Sequence, residues 1–185
     1  DWSFNPKLPK KEIYELVTAK FVQDGHDALL IGSPGTGKSH IAKTIAHAAI
    51  QSFHKVVYRE AHTFFEDIFE ANQTGNKKRL LKTFSEADLL IIDDLFLQKK
   101  MPEDAADYLL DVILKRYSAR KSTLITSNRP IEDWGLLLKD NAASSAILDR
   151  LLHHGHLLKF EGKSYRLKEA ATRLSQRKEK KENEG

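Results

Sequence analysis

The sequence predicts an α/β fold, a five-stranded parallel sheet between layers of helices. Three observations predict it. Short apolar runs alternate with longer segments of helical periodicity along most of the 185 residues, the pattern of repeated strand–helix units. One run, Leu89 to Ile92 within ADLLIIDD, is apolar at four successive positions; both of its faces are then buried, which suits a central parallel strand. A glycine-rich stretch, Gly32 to Ser39 (GSPGTGKS), lies between a strand-like run and a helix-like one.

Taken in order, Phe4 to Asp24 opens with Pro6 and Pro9 and then reads as one helix, with Ile13, Leu16, Val17 and Phe21 on one face. Asp27 to Ile31 is the first strand. Ser39 to Ser52 is a helix with Ile41, Ile45 and Ala49 along one side. Val56 to Arg59 is the second strand. Ala61 to Asn72 is a helix crowded with Phe64, Phe65, Ile68 and Phe69, and Thr74-Gly75-Asn76 is a turn before a short basic helix, Lys77 to Phe84. Ala87 to Asp94 is the third strand. Pro102 to Ala119 carries the clearest apolar stripe, through Ala106, Leu109, Leu110, Ile113 and Tyr117. Thr123 to Ser127 is the fourth strand, ended by Asn128-Arg129-Pro130. A helix from Ser144 to His153 leads to the fifth strand, His156 to Phe160, and a last helix spans Tyr165 to Arg177. Three units are expected: an N-terminal linker and helix over 1–24, an α/β core over 25–174 and a charged, unstructured tail over 175–185.

Composition narrows the classes. The chain is 41% apolar and 30% charged, as soluble globular proteins are, and has no cysteine, which excludes disulfides and thiolate metal sites. That fits a cytoplasmic protein. No apolar run approaches the roughly 18 residues of a membrane helix. The net charge of +4 is uneven: residues 163–185 hold eight basic and four acidic side chains, while the preceding part is neutral. A basic tail suits a polyanion and equally a solvated helix.

GSPGTGKS fits G-x-x-x-x-G-K-[ST], the phosphate-binding loop, and sits in the strand–loop–helix setting that the motif needs. Gly35 and Gly37 let successive backbone N–H groups converge on one anion, and the following helix N-terminus adds partial positive charge. Lys38 is placed to reach the β- and γ-phosphates of ATP and the Ser39 hydroxyl to ligate Mg²⁺. The nucleotide-binding set is therefore Pro34, Gly35, Thr36, Gly37, Lys38, Ser39 and His40.

Asp93 and Asp94 end the third strand, where a buried carboxylate needs a partner. Mg²⁺ held with Ser39 supplies one for Asp93, leaving Asp94 to orient or deprotonate an attacking water. Asn128 faces the γ-phosphate if the fourth strand lies between the first and third; its local sequence is also that of a plain turn. From its neighbours alone, Arg150 in AILDRLL is a helix-surface arginine paired with Asp149. His153, His154 and His156 cluster near one helix end, where dipole partners of the helix C-terminus are expected ahead of the alternative, a metal site.

Together GSPGTGKS, LLIIDD, TSNRP and ILDRLLHHGH resemble the IstB family, ATP-binding helpers of insertion-sequence transposons and close relatives of the DnaC helicase loaders within the initiator group of AAA+ ATPases. The resemblance covers about residues 2–174. It implies the sensor strand between the phosphate-loop and acid-bearing strands, Asn128 as γ-phosphate sensor, and Arg150 as a finger offered to a neighbouring protomer. It implies an ATP-bridged homo-oligomer on duplex DNA that recruits a cognate transposase, and a further N-terminal domain before this segment. The initiator group's extra helix corresponds to Ala61 to Phe84, so Lys77, Lys78 and Arg79 are candidate DNA contacts, or else a solvated face.

Two departures stand out. Asp94 replaces the glutamate of many AAA+ proteins and is one methylene shorter, so slow hydrolysis is expected. The 25 residues after Phe160 are too few for a helical lid, and neither Arg166 nor Arg173 is assigned as the second sensor. The expected function is an ATP-dependent, DNA-binding regulator of transposition with ATPase activity. The rivals are a DnaC-type helicase loader, a P-loop metabolite kinase and a non-hydrolysing DNA clamp.

Overall fold

The computed structural model of the chain describes residues 2–97 and 101–183. Five strands, β1 (Ala28–Gly32), β2 (Val56–Glu60), β3 (Leu89–Leu95), β4 (Ser122–Ser127) and β5 (His156–Phe160), form one sheet in the order β2-β3-β4-β1-β5. Every pairing is parallel. The predicted α/β fold is borne out, and β4 lies between the phosphate-loop strand β1 and the acid-bearing strand β3. The loops after β1, β3 and β4 therefore open at one edge of the sheet, where ligands of such folds bind.

The four-residue apolar run of β3 is explained by its neighbours. Leu90 and Ile92 join a core with Phe64, Phe84, Leu109, Ile113 and Ile147, whereas Leu89 and Ile91 join one with Ile13, Leu16, Ile45 and Ala49 on the other face. Side chains alternate across a strand, so both faces need apolar residues when helices cover both. Each fully buried leucine or isoleucine contributes about 1.5–3 kcal/mol relative to exposure. The helices are α1 (Lys10–Val17), α2 (Lys20–Gln23), α3 (Lys38–Gln51), α4 (Ala61–Gln73), α5 (Lys77–Glu86), α6 (Ala105–Ser118), α7 (Trp134–Leu138), α8 (Asn141–His153) and α9 (Tyr165–Asn183).

The elements differ from expectation at four places. The single N-terminal helix is two, because Ala19 turns left-handed at φ 57° and redirects the chain so that Phe21 and Val22 also reach the core. Phe69 is 58% exposed and not part of the apolar face of α4, which Phe64, Phe65 and Ile68 fill. A one-turn 3-10 helix (Ile131–Asp133) and α7 follow β4, burying Trp134 edge-on to Phe96 at 5.1 Å. Helix α9 runs beyond Arg177 to Asn183, through a stretch rich in the strong helix formers Lys, Glu and Arg.

One buried cation staples the end of the sheet opposite the loops. Arg116 of α6 is fully buried. Its guanidinium donates to Thr123 Oγ1 (3.0 Å) and Ala87 O (3.0 Å), and to the carbonyls of Phe84 and Ser122. The five-donor fork of arginine suits such a set of carbonyls, and burial lowers its pKa to about 10. Nearby Asp27 accepts the Thr123 backbone N–H at 2.6 Å. Burial raises the Asp27 carboxyl to about 6, against the opposing pull of that N–H and of Arg116.

Because the folded value of Asp27 lies above its ordinary 3.8, its stabilising contribution is full below the unfolded pKa and is lost as pH rises through the folded one. Asp27→Asn keeps the acceptor for Thr123 and removes the charge. Relative to the wild type it is expected to gain about 2 kcal/mol of stability between about pH 4 and pH 7.5. Urea unfolding of both proteins at the two pH values checks this; a pH-independent difference contradicts it.

Candidate functional site

The loop from Gly32 to Lys38 joins β1 to α3 and folds tightly because two glycines take conformations that side chains avoid. Gly37 has φ 102° with open space around its α-carbon, so conformation alone calls for glycine there. Gly35 has φ 77°, and an added β-carbon would lie 2.1 Å from Ser164 Oγ. Thr36 is buried and its hydroxyl donates to Ser33 O at 2.8 Å, tying the loop to itself. Lys38, only 4% exposed, donates from Nζ to Gly32 O (2.8 Å) and Ser33 O (2.9 Å). Burial pushes its pKa down, and the charges of Asp94 and Asp93 oppose that shift.

A cavity of about 90 Å³ opens over this loop. Lys38, Ser39, Asp94, Asn128 and Arg166 line it together with Pro34, Gly35, Gly37 and Leu97. Thus Ser39, Asp94 and Asn128, far apart in sequence, meet there as expected. His40 is exposed at the start of α3 and does not line the cavity. Asp93 is 2% exposed, behind the cavity wall.

The two acids are separated by local geometry. The pairing of β3 with β4 shifts register between Ile92 and Leu95, and Asp94 sits there at φ 57°. This bulge turns Asp94 toward the cavity and leaves Asp93 inward. The carboxylate of Asp93 accepts the hydroxyls of Tyr58 and Thr126, and Thr126 Oγ1 accepts the Asp94 backbone N–H at 2.8 Å. Burial and the hydrogen bond to Asp93 raise the Tyr58 pKa, which keeps that hydroxyl a donor. Burial, then the charge of Asp93, raises the Asp94 carboxyl and makes it a better proton acceptor than an exposed aspartate.

The residues fit ATP and a metal ion in chemical terms. Asn128 Oδ1 is buried without a hydrogen-bond partner among the described residues, at the cavity wall. Each Asp93 oxygen keeps a lone pair beyond the hydroxyl it accepts, so it can still accept from a metal-bound water.

Arg166 is the residue that sequence reasoning set aside and the fold brings in. Its place follows from how α9 is rooted. The Tyr165 N–H donates to Gly35 O at 2.9 Å. The Asn5 side chain holds the Lys163 backbone by two bonds, Nδ2 to O at 2.9 Å and N to Oδ1 at 2.8 Å. The aromatic ring of Phe4 stands edge-on to Tyr165 at 5.7 Å, beneath Lys168 Nζ at 4.5 Å. No local motif announces Arg166; the signal is a contact between the two ends of the chain.

Arg150 lies elsewhere. It is 34% exposed and donates to Ala146 O (3.2 Å) and Asp149 (3.3 Å). With Gly25, His26, Tyr117, Arg120 and His154 it lines a pocket of about 300 Å³ by the N-terminal ends of β1 and β4, away from the phosphate loop. The histidines there pack together, His26 stacked on His154 at 6.0 Å and His153 tilted against His154 at 3.9 Å, and the charge of His153 lowers the His154 pKa. Among the described residues no group of three or more His, Asp and Glu side chains could hold a metal ion. Of the candidate DNA contacts, Lys78 and Arg79 are exposed, while Lys77 is half-buried with Nζ 4.7 Å from the Tyr108 ring centre. No helix among the described residues is long and apolar enough to cross a membrane.

The chain is similar to known proteins in sequence and in fold. The IstB-like ATP binding protein family matches residues 1–173. A protein of Geobacillus stearothermophilus named for ATP binding in insertion sequence IS5376 is 35% identical over 97% of this chain and 70% of its own length. A Pseudomonas aeruginosa counterpart named for IS21 is 34% identical over 91% of this chain and 63% of its own. The chain thus spans about two thirds of the length of these relatives. The crystal structure of the DnaC helicase loader superposes with a TM-score of 0.69 at 21% identity, covering 86% of this chain and 94% of that one, a likeness of fold. With a phosphate loop, an acid-ended third strand and a family match over nearly its whole length, the chain belongs to the IstB-like ATP-binding proteins and has the P-loop AAA+ fold.

Proposed function

We propose that the chain is an ATP-dependent, DNA-binding regulator of transposition that hydrolyses ATP slowly, works in the cytoplasm and assembles through ATP on duplex DNA to engage a cognate transposase. The observation that carries the reading is the single cavity in which Lys38, Ser39, Asp94 and Asn128 meet at the loop end of a parallel sheet, within a family named for ATP binding.

In this reading the loop backbone from Pro34 to His40 and Lys38 hold the triphosphate, Lys38 leaving its loop carbonyls for the β- and γ-oxygens. Mg²⁺, when bound, spreads the phosphate charge; Ser39 and Asp93 are the residues that would hold it. Asp94 orients a water and takes its proton as the water attacks the γ-phosphorus and the bond to the ADP oxygen breaks. Asn128 positions that water or the γ-phosphate through its amide. Arg166 adds positive charge from the same chain. Arg150, at the far end of the sheet, acts on the ATP of a neighbouring copy, because its own phosphates are out of reach. Lys78 and Arg79 hold DNA phosphates without reading bases. A helicase loader shares this chemistry, and the partner separates the two: capture of a hexameric helicase in place of a transposase favours the loader.

Lys38→Ala is expected to weaken ATP binding by about 100-fold, measured by titration with a fluorescent ATP analogue. Arg150→Ala and Arg166→Ala are expected to behave differently. The first keeps nucleotide affinity and lowers DNA-stimulated turnover by on the order of 10³-fold, while the second weakens nucleotide binding even in dilute, monomeric protein. If Arg150→Ala hydrolyses ATP at the wild-type rate in assemblies, the assignment of Arg150 is wrong. Replacing both Lys78 and Arg79 by alanine is expected to reduce the slope of log affinity for random duplex DNA against log salt by about 2, with ATP binding unchanged. An unchanged slope removes α5 from the DNA interface.

A further inference from the structure

Beside the nucleotide site lies a larger cavity, a groove of about 810 Å³ between α4 and the start of α6. Its apolar wall includes Phe65, Phe69, Leu97 and Met101, and Phe69 and Leu97 are 58% and 60% exposed. Its rim is acidic, through Glu66, Glu103 and Asp104. Exposed apolar surface of this extent, with three carboxylates on its rim, suits an amphipathic segment that carries basic residues.

The chain carries such a segment. Helix α9 presents Leu167, Ala170 and Leu174 at i, i+3 and i+7, one apolar face. Leu167 is 72% and Leu174 61% exposed, so these two side chains are left largely open to solvent. The sequence of α9 holds seven Lys and Arg against three Glu. Its root is fixed on the phosphate loop by the Tyr165–Gly35 bond and by the grip of Asn5 on Lys163. With its root held there, the exposed apolar face of α9 is open to a second molecule.

We infer that the groove between α4 and α6 receives the basic, amphipathic α9 of a second copy of this chain. The apolar face of α9 packs on Phe65, Phe69 and Leu97, and its lysines and arginines meet the acidic rim. The contact joins two different surfaces, so it repeats head to tail and builds a ring or a helical filament. Asp94 and Leu97 line both the groove and the phosphate cavity. A docked helix therefore forms part of the wall beside the carboxylate proposed to take the water's proton. The inference stands on packing and charge and does not depend on ATP hydrolysis.

The absence of cysteine allows a clean test. Two single-cysteine variants of the whole chain, Phe69→Cys and Leu174→Cys, are mixed with one carrying a size tag and allowed to oxidise. Both positions are exposed, so folding is kept. The expected result is a disulfide-linked heterodimer that forms at least about tenfold faster than either homodimer. It should also outpace a control pair in which Ile50→Cys, at a site 58% exposed and away from the groove, replaces Phe69→Cys. A rate no higher than the control overturns the proposal. So does closure within one chain in the doubly substituted protein at a rate independent of concentration. ATP affinity measured on the same variants is expected to be unchanged, so a failed crosslink beside normal affinity counts against the docking surface and leaves the nucleotide site standing.

Discussion

Thr126 is the point on which the site depends. Its hydroxyl donates to the Asp93 carboxylate on β3 and accepts the backbone N–H of Asp94. It can do so because β4 lies beside β3, between it and the phosphate-loop strand. The bond secures the left-handed turn at Asp94, a conformation that costs a non-glycine residue of order 1–3 kcal/mol. With Tyr58 on the other side, Asp93 is fixed while Asp94 is turned to the cavity. Two adjacent carboxylates with the same side-chain chemistry thus have different environments and are suited to different tasks.

The apolar packing serves this arrangement. Helices cover both faces of the sheet, so a one-residue shift of β3 against β4 would send each side chain into the opposite core, whose space is already filled. At the opposite end Arg116 draws together carbonyls from the end of α5, the approach to β3 and the start of β4. A buried guanidinium is costly unless its donors are satisfied, and here they are. The sheet is thereby held at both ends, by a hydroxyl–carboxylate relay near the loops and by a cation at the foot.

The nucleotide site is also where the chain's two ends meet. Asn5 from the N-terminal segment holds the backbone at Lys163, and the residues after it rest on Gly35. Arg166 enters the cavity by this route and not through a separate lid. Helix α9, the groove beside Asp94 and the half-buried Arg150 at the far end of the sheet give one molecule surfaces of unlike chemistry.

Much was legible in the sequence because its signals are local. The spacing of GSPGTGKS, the unbroken apolar run ending in Asp93 and Asp94, and the alternation of strand and helix depend on residues near one another, and they determined the fold class, the phosphate loop and the acid pair. Strand boundaries were found to within a residue or two for the same reason. What only the tertiary structure decided depends on pairs distant in sequence. The left-handed turn at Ala19 breaks a helix whose apolar period looked continuous. Phe69 lies outside a face that Phe64, Phe65 and Ile68 already fill. No local pattern marks Arg116 as buried, because the carbonyls of Phe84, Ala87 and Ser122 that hold it come from other elements. Arg166, passed over for want of a motif, reaches the phosphate cavity through contacts between residues about 160 positions apart. Periodicity encodes which face of an element is buried; which partner that face meets is set by the packing of the whole chain.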